Sequence, residues 1–320
     1  MSFPLLKGKM MATTKRSPGK KVSVKALCNS ISGNIRVMGA IKGYVLSVAS
    51  PVDADEMTLS YCFQKDKSAL ELIRKSKASV IICSDEMKFG EEDYRDKTLI
   101  LVANPKLVLT RAMQTFFQDK AEFGIDPTAV IDKYARIHPE VCIGPNCYIG
   151  KCRIGKGTII HGNVYVYSGV KIGERVVVHA GTVIGAPGME FAKNESGQFE
   201  DMPHISSVVI EDDVWIGSNV SIMRGVFSDT VIGQGTKLGH LCSIGHQTVV
   251  GQHCLIITRS VIGGSCRIGD HARISMAACI RDGISIGNNA IIGMGSLVTK
   301  SIDDGMLAYG VPAKVIKKVE

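Results

Sequence analysis

Aromatic residues are scarce in this sequence, and cysteine pairs and long apolar runs are missing from it. Aromatic residues make up 6% of the 320 positions, so the core must be mainly aliphatic. No apolar run approaches the ~18 residues of a membrane-spanning helix, and the N-terminus lacks an apolar stretch of signal-peptide length. None of the ten cysteines belongs to a Cys-x-x-Cys pair, which argues against disulfides and zinc sites. We therefore expect a cytoplasmic protein with reduced, packed thiols.

Acidic residues are absent before Asp53, whereas basic residues are frequent there. Seven lysines and arginines precede residue 26, and they supply part of the net charge of +8. A basic, polar segment of this kind is typical of a solvated tail, and it can also attract an acidic partner. We predict a flexible basic arm over residues 1–25 and leave both roles open.

The second half of the chain carries a repeat of six residues. From Ile232 to Val298 every sixth position is aliphatic, and four positions after most of these stands a small residue such as Thr236 or Cys242. A period of six is a multiple of the two-residue strand period and fits no helix period. Each hexad is therefore predicted to be a short strand followed by a corner, with three hexads closing one triangular coil. Stacked coils form a parallel β-helix that buries the aliphatic columns.

The same repeat extends back to Ile137, and it is interrupted twice. Ile154 follows Ile149 by five residues rather than six, so one residue is missing from that coil. Residues 185–207 are polar and contain no hexad. They predict a long loop, and such loops in compact domains are usually functional or disordered.

A different pattern precedes residue 120 and predicts a small α/β domain. Its expected elements are a helix over residues 68–78 opened by a Ser68–Glu71 capping box, strands over 79–83 and 98–102, and a helix over 107–117. The last eighteen or so residues leave the hexad pattern and are expected to cover the open end of the β-helix. The predicted organisation is a basic arm over 1–25, a small α/β domain over 26–119, a β-helix over 120–301 that contains the loop 185–207, and a C-terminal cap over 302–320.

Hexapeptide repeats of this kind resemble those of the left-handed β-helix acyltransferases, and the left-handedness is implied by that resemblance alone. Five further motifs narrow the resemblance: LSYCFQKDK around Tyr61, FGIDPTAVID, GAPGMEFA, RGVFSDTVIGQGTKL, and SIGHQ around His246. In their order, the chain resembles the UDP-3-O-acylglucosamine N-acyltransferases of lipid A biosynthesis. The resemblance implies a mainly β fold, a homotrimer, and acyl transfer from a thioester to a nucleotide-linked amino sugar.

His246 is the candidate catalytic residue. Acyl transfer to an amine requires a group that removes a proton, histidine suits this near neutral pH, and the resembling family uses the histidine of this motif as its general base. Gly264 lies eighteen residues on, one coil away, where a backbone N–H could stabilise the oxyanion. Asp229, one coil earlier, is a candidate to orient the imidazole. The alternatives are a corner histidine without a role and an aspartate that only satisfies a turn.

Further candidates lie in the small domain, in the long loop and at other corners. The resemblance places a nucleotide base against Tyr61, although this ring could simply pack the small domain. His240 is one hexad from His246, so the two lie on different faces and cannot bind one metal ion within a subunit. We expect no metal and no permanently bound cofactor. The candidate substrate contacts are Tyr61, Gln64, Lys67, His204 and His240, and the candidate donor contacts are Met189, Phe191 and Gly295.

The sequence departs from the resembling family in three places. Gly239-His240 replaces an Asp-Asn pair, Gly283 replaces a second functional histidine, and the stacking motif keeps only one aromatic. The carboxyl end and the DDVWIG segment around Trp215 are similar to coenzyme A-dependent sugar acetyltransferases, which favours acyl-coenzyme A as the donor. The lipid A enzyme with acyl carrier protein is the alternative, and a non-catalytic binding or scaffold β-helix is a third. No nucleic-acid partner is expected, and UDP and dTDP remain open. The candidate phosphate contacts are Lys300, Lys314, Lys317 and Lys318.

Overall fold

The computed structural model describes residues 21–41, 43–118 and 123–319. They form two compact units that divide between residues 120 and 121. The first unit is a small α/β domain, and the second is a β-helix with an irregular carboxyl end. The strand Val22–Ser23 and the start of the helix Val24–Ser30 lie inside the stretch that was expected to be a flexible arm, which moves the boundary of the small domain before residue 25. The remainder of the predicted arm, residues 1–20, lies outside the described residues.

A five-stranded sheet organises the small domain. Two of its central strands, Val80–Ser84 and Thr98–Val102, are buried at every position, as expected for parallel strands covered on both faces. Helices α1 and α3 contribute to one apolar cluster beside this sheet, and α2 contributes to the other. The strands in sheet order are Arg36–Met38, Thr98–Val102, Val80–Ser84, Thr58–Cys62 and Ser47–Val48, with only the first pair antiparallel; the helices are α1 Val24–Ser30, α2 Lys67–Lys75 and α3 Pro105–Ala112.

Three shorter elements complete this unit: an antiparallel pair Val22–Ser23 with Tyr44–Val45, a 3₁₀ turn Glu91–Asp93, and a π-helical segment Met113–Phe117. The predicted Ser68–Glu71 capping box does not start helix α2. Asp66 is the N-cap, and its carboxylate accepts hydrogen bonds from the Ser68 and Ala69 amides at 3.0 and 3.2 Å. An aspartate satisfies these two amides directly, so the helix begins one residue earlier than expected.

The second unit is a left-handed parallel β-helix built from three sheets. The chain passes through sheet 1, sheet 2 and sheet 3 in each coil, and every coil pairs with the next in parallel register. Sheet 1 contains Gly124–Ile125, Cys142–Ile143, Ile159–Ile160, Val177–Val178, Trp215–Ile216, Lys237–Leu238, Leu255–Ile256, Arg273–Ile274 and Ile291–Ile292. Sheet 2 contains Val130–Ile131, Tyr148–Ile149, Tyr165–Val166, Val183–Ala186, Ser221–Met223, Ser243–Ile244, Val261–Ile262, Cys279–Ile280 and Leu297–Val298. Sheet 3 contains Arg136–Ile137, Arg153–Ile154, Lys171–Ile172, Val208–Ile210, Thr230–Ile232, Val249–Val250, Arg267–Ile268 and Ser285–Ile286.

The aliphatic column of the hexads forms the core, as the repeat predicts. From Ile232 to Val298 every sixth residue is buried. Ile137 pairs with Ile154, which confirms the one-residue deletion in that coil. The repeat also has a third interruption, which the sequence analysis does not predict. Residues 224–229 are inserted between the strands that contain Ile222 and Ile232.

The small residues that stand four positions after the aliphatic residues of the hexads are called slot residues. Several of them have a second role besides packing. Thr236, Thr248 and Cys254 each place a side-chain donor near a corner carbonyl fifteen residues later, at 2.8, 2.8 and 3.0 Å respectively. The expected packing of the thiols is confirmed for most of them: eight of the ten cysteines are buried, and burial raises the pKa of the Cys152 thiol to about 12. Coils that carry Thr, Ser or Cys at these positions are therefore tied to the corner of the next coil, whereas the coil with Ala272, Ala278 and Ile284 has no such side-chain donor.

Three corners connect the sheets within each coil. The first corner joins sheet 1 to sheet 2, the second joins sheet 2 to sheet 3, and the third joins sheet 3 to sheet 1. At the carboxyl end, Met306–Gly310 pairs with Ile291–Ile292 and with Ala313–Lys318, so a hairpin extends sheet 1 over its last regular strand.

Candidate active site

Both long interruptions of the repeat lie at the second corner. The loop 185–207 contains an antiparallel hairpin, Phe191–Lys193 with Phe199–Asp201, and the shorter insertion 224–229 lies on the next coil. The Arg224 amide donates to the carbonyl of Ala186 at 2.9 Å, which joins the two insertions. The regular coils supply a rigid base, and the inserted segments add side chains above it.

Asp229 fixes the end of the long loop. Its carboxylate accepts hydrogen bonds from the Ser206 hydroxyl at 2.6 Å and the Ser207 amide at 2.9 Å. The hydrogen bond from Ser206 is the main cause that holds the pKa of this carboxyl below its usual range, against the opposing effect of burial. Asp229 was expected to orient His246, and the structure gives it these loop partners instead.

His246 lies at the second corner, immediately after the strand Ser243–Ile244. Its side chain is only 17% exposed, and its Nε2 lies 3.4 Å from Oε2 of Glu190 in the long loop. The ring of His204 meets it edge to face, with centroids 5.7 Å apart. The loop therefore brings a carboxylate and a second imidazole against the predicted base.

Two glycines make room for this arrangement. A Cβ on Gly264 would lie 2.5 Å from His246 Nε2, closer than real Cβ contacts allow. A Cβ on Gly188 would lie 3.0 Å from His204 Nε2 and 3.2 Å from His246 Cδ2. The lack of a side chain at Gly264 is thus a steric requirement of the His246 position, whereas a Cβ at Gly188 would require the two rings to shift by a few tenths of an ångström.

Gly264 lies beside the His246 ring, but its amide is already engaged. The N–H donates to Oδ1 of Asp282 at 2.6 Å, one coil further on. The expected role as an oxyanion donor therefore requires this hydrogen bond to break first. The structure supports a spacing role for Gly264 beside the imidazole.

Unpartnered polar atoms are concentrated at this corner. Six buried side-chain nitrogen or oxygen atoms have no hydrogen-bond partner within the described part of the chain, and four of them surround the two insertions. Buried polar atoms normally find partners, and such a concentration marks a place where a polar ligand can bind. The four are His204 Nε2, His246 Nδ1, Ser207 Oγ and Arg224 Nε.

The other donor and sugar candidates are divided among corners. Met189 is 80% exposed and Phe191 is 43% exposed on the long loop, where Phe191 contacts Phe199 edge to face. His240 and Gly295 lie at the first corner instead. The His240 Nδ1 accepts a hydrogen bond from the Ser218 amide at 2.8 Å, so the structure does not bring it together with His246 within one chain.

The nucleotide candidates lie in the small domain. Tyr61 stacks on Phe63 with ring centroids 4.4 Å apart, and it also packs against the apolar cluster of α1 and α3. Phe63 is therefore a second aromatic residue of the LSYCFQKDK motif besides Tyr61. Gln64 is exposed. Lys67 is the first residue of α2.

Sequence reasoning also missed Glu190, Gly188 and Asp282. The GAPGMEFA motif contained the first two, but hexad spacing gives no position to a residue inside an insertion. Asp282 could have been found, because it follows Gly264 by eighteen residues. Within residues 21–41, 43–118 and 123–319, no group of three or more metal-ligating side chains is arranged to hold a metal ion. In the same ranges no helix is long and apolar enough to cross a membrane.

Comparison with known proteins gives consistent matches to one enzyme class. Residues 151–186 match the family model "Bacterial transferase hexapeptide (six repeats)", and residues 207–245 and 265–300 match "Hexapeptide repeat of succinyl-transferase". The UDP-3-O-acylglucosamine N-acyltransferase of Coxiella burnetii is 31% identical over 248 residues, covering 71% of this chain and 70% of the relative. Its counterpart from Polynucleobacter asymbioticus is 35% identical over 175 residues, covering 47% of this chain and 49% of the relative.

Solved structures match through the β-helix. The UDP-N-acetylglucosamine O-acyltransferase of Moraxella catarrhalis superposes with a TM-score of 0.56 at 27% identity, covering 61% of this chain and 74% of that one. The corresponding Acinetobacter baumannii structure gives a TM-score of 0.55 at 27% identity, with the same coverage. The sequence relatives are thus named for transfer to nitrogen and these structural relatives for transfer to oxygen, while the fold is common to both.

Proposed function

We propose that this chain, which belongs to the hexapeptide-repeat family of UDP-3-O-acylglucosamine N-acyltransferases, acylates the amino group of a UDP-linked, 3-O-acylated glucosamine. The chain is an acyltransferase. The names of its sequence relatives support this acceptor better than the wider class of nucleotide-linked amino sugars expected from the carboxyl end. UDP is accordingly proposed as the nucleotide.

The observation that carries the proposal is the position of His246. It stands at the second corner beneath the loop 185–207, half-enclosed by Glu190, His204 and Gly264. In the proposed reaction the amine nitrogen attacks the thioester carbonyl, the new C–N bond forms, and the imidazole takes the proton that the nitrogen releases. The C–S bond then breaks, and the proton can pass to the leaving thiolate. No covalent enzyme intermediate is required.

The acyl donor is proposed to be a thioester carried by an acidic protein. Sheet 3 borders the second corner, and its outward face is basic. A polyanionic donor is attracted to such a face, and the attraction weakens with salt. This supports acyl carrier protein from the lipid A alternative, with acyl-coenzyme A as the competing donor in the test. The exposed basic residues of sheet 3 are Arg136, Arg153, Lys171 and Arg267.

The protein is further proposed to be a homotrimer. Sheet 2 and the first corner differ from sheet 3 in exposing large apolar side chains, and a repeated apolar surface of this kind favours association with further copies. Light scattering should therefore give about three times the chain mass of 34.4 kDa, and a monomer would contradict the proposal. The exposed apolar residues are Tyr148, Tyr165, Val261 and Leu297 on sheet 2, and Leu241, Met276 and Met294 at the first corner.

A transfer assay tests the reaction. The full chain is incubated with UDP-3-O-acylglucosamine and either acyl carrier protein thioester or acyl-coenzyme A, and mass spectrometry locates the new acyl group. We expect an amide on the 2-amino group and faster transfer from the carrier protein. UDP-N-acetylglucosamine, whose amine is blocked, serves as the control acceptor. Acylation of a hydroxyl of that control at a similar rate would show that the proposed N-acyltransferase function is wrong.

A further inference from the structure

We infer that Glu190 and His204 form, with His246, a binding site for a protonated amine, and that this site makes the enzyme select an amino sugar over its hydroxyl analogue. The inference rests on the proposed function and concerns how the acceptor is chosen. It starts from the chemistry of the three side chains at the second corner.

Glu190 supplies a negative charge at the predicted base. Its Oε2 lies 3.4 Å from His246 Nε2, longer than the ~2.7–2.9 Å of a good charge-assisted hydrogen bond. The carboxylate is therefore near the imidazole without being fully engaged by it. The Glu190 side chain remains 40% exposed, so it can turn towards an incoming ligand.

His204 adds a second acceptor. Its Nδ1 lies 3.0 Å from the carbonyl of Met202, and a carbonyl only accepts, so Nδ1 carries the hydrogen. In the neutral ring, Nε2 is then a lone-pair acceptor. This atom is buried and has no partner among the described residues. It lies beside Gly188, which the His246 ring also approaches.

The hairpin couples these groups to one another. The Met202 amide donates to the backbone carbonyl of Glu190 at 2.9 Å, so the same backbone bridge positions the carboxylate and the carbonyl that sets the His204 tautomer. The site consequently presents the Glu190 carboxylate and the lone pair of His204 Nε2 beside the His246 ring. An ammonium group has three donors and no acceptor, which matches a set of acceptors.

A hydroxyl group fits the same site less well. It has a single donor and no positive charge, so it can pair with only one of the acceptors and lacks the charge attraction to the carboxylate. A bound ammonium is also close to His246; it must release one proton to solvent before the nitrogen can attack, and the imidazole takes the second proton as the C–N bond forms. The geometry therefore places substrate selection and proton removal at one point.

Binding without an acyl donor tests the inference separately from catalysis. Calorimetric titration compares UDP-glucosamine with UDP-glucose, which differ only in an amine or a hydroxyl at the 2-position. We expect wild-type protein to prefer the amine about tenfold, the scale of one partly exposed charged hydrogen bond. Glu190→Gln, which keeps the shape and removes the charge, should lower that ratio to about twofold.

Glu195→Gln is the matched control, because Glu195 is an exposed carboxylate of the same hairpin. It should keep the wild-type ratio. An unchanged ratio in Glu190→Gln, or equal binding of both sugars by wild-type protein, would overturn the ammonium site while leaving the acylation assay free to succeed. If neither sugar binds, the proposed nucleotide-sugar substrate is wrong and the inference falls with it.

Discussion

The first and second corners of the β-helix have the same coil geometry and different contents. At the first corner the rings of His161 and His179 stack 4.6 Å apart, and His179 meets Trp215 at 4.7 Å. Burial, followed by the neighbouring histidines, lowers the pKa of His179. At the second corner the stack is replaced by inserted chain, which places Glu190 and His204 over His246. Side chains on successive regular coils therefore cover one another, whereas an insertion creates a niche where a ligand can enter.

The largest effect in a test of the difference between the two corners is expected from His246→Ala. The variant should fold as wild type and lose ~100- to 10,000-fold in turnover, because general-base catalysis is removed. Circular dichroism and the transfer assay measure the two properties. His271→Gln is the control, since His271 stacks with His253 at 5.4 Å at the third corner and should leave the rate unchanged. A near-normal rate for His246→Ala would end the proposed mechanism.

An intermediate effect is expected from Gly264→Ala. The new methyl group must displace the imidazole of His246, so kcat should fall ~10- to 100-fold, on the scale of a small misplacement of a catalytic group. Gly283→Ala is the matched variant at the same corner. Its Cβ meets nothing within 4 Å, but its φ is +73°, so it should lower the melting temperature rather than kcat. Equal losses of kcat in both variants would contradict the steric role of Gly264.

The smallest effect is expected from Asp229→Asn, which loosens the end of the long loop. The folded pKa of Asp229 is depressed, so its contribution is fully present above the ordinary carboxyl value of ~3.9 and is lost as pH falls through the depressed value. At neutral pH the Ser207 amide should exchange its hydrogen faster in the variant, and kcat/KM should fall a few-fold.

Asp270→Asn provides the control for that measurement. Asp270 also accepts a backbone amide, from Gln252 at 2.8 Å, but at the third corner. It should leave kcat/KM unchanged. The exchange difference at Ser207 between wild type and Asp229→Asn should shrink at acid pH, and a difference that persists there would show that the carboxylate charge is not its cause.

The β-helix was predictable from the sequence because its core obeys one spacing rule. The ladder from Ile232 to Val298 and the deletion before Ile154 were read correctly, since each coil buries the same column. The insertion 224–229 is not predicted by this rule, because its residues bury no member of the column and lie between the strands Ser221–Met223 and Thr230–Ile232. Local signals were less reliable in the small domain, where Asp66 displaced the predicted cap of α2.

The candidate site was predictable only where it belongs to the repeat. His246 and its contact with Gly264 follow from the coil length of eighteen residues and from the resembling motif. Glu190 and its contact with His246 depend on how a hairpin folds back over the corner, and no periodicity encodes that path. The partners of Asp229 depend on the same path, because Ser206 and Ser207 are brought to it by the end of the loop.

The bonds from slot side chains to corner carbonyls have a consequence for protein engineering. Thr236, for example, donates to the carbonyl of Gly251 at 2.8 Å, the first residue of a third-corner turn. A segment grafted directly after Gly251 leaves that bond and both flanking strands in place, and it lies away from the apolar first corner that is proposed to contact other subunits. The protein's own loop illustrates this tolerance, because Thr182 still reaches the carbonyl of Gly217 at 2.8 Å although the loop 185–207 separates them. Foreign binding loops can therefore be displayed at the third corner without redesign of the coils.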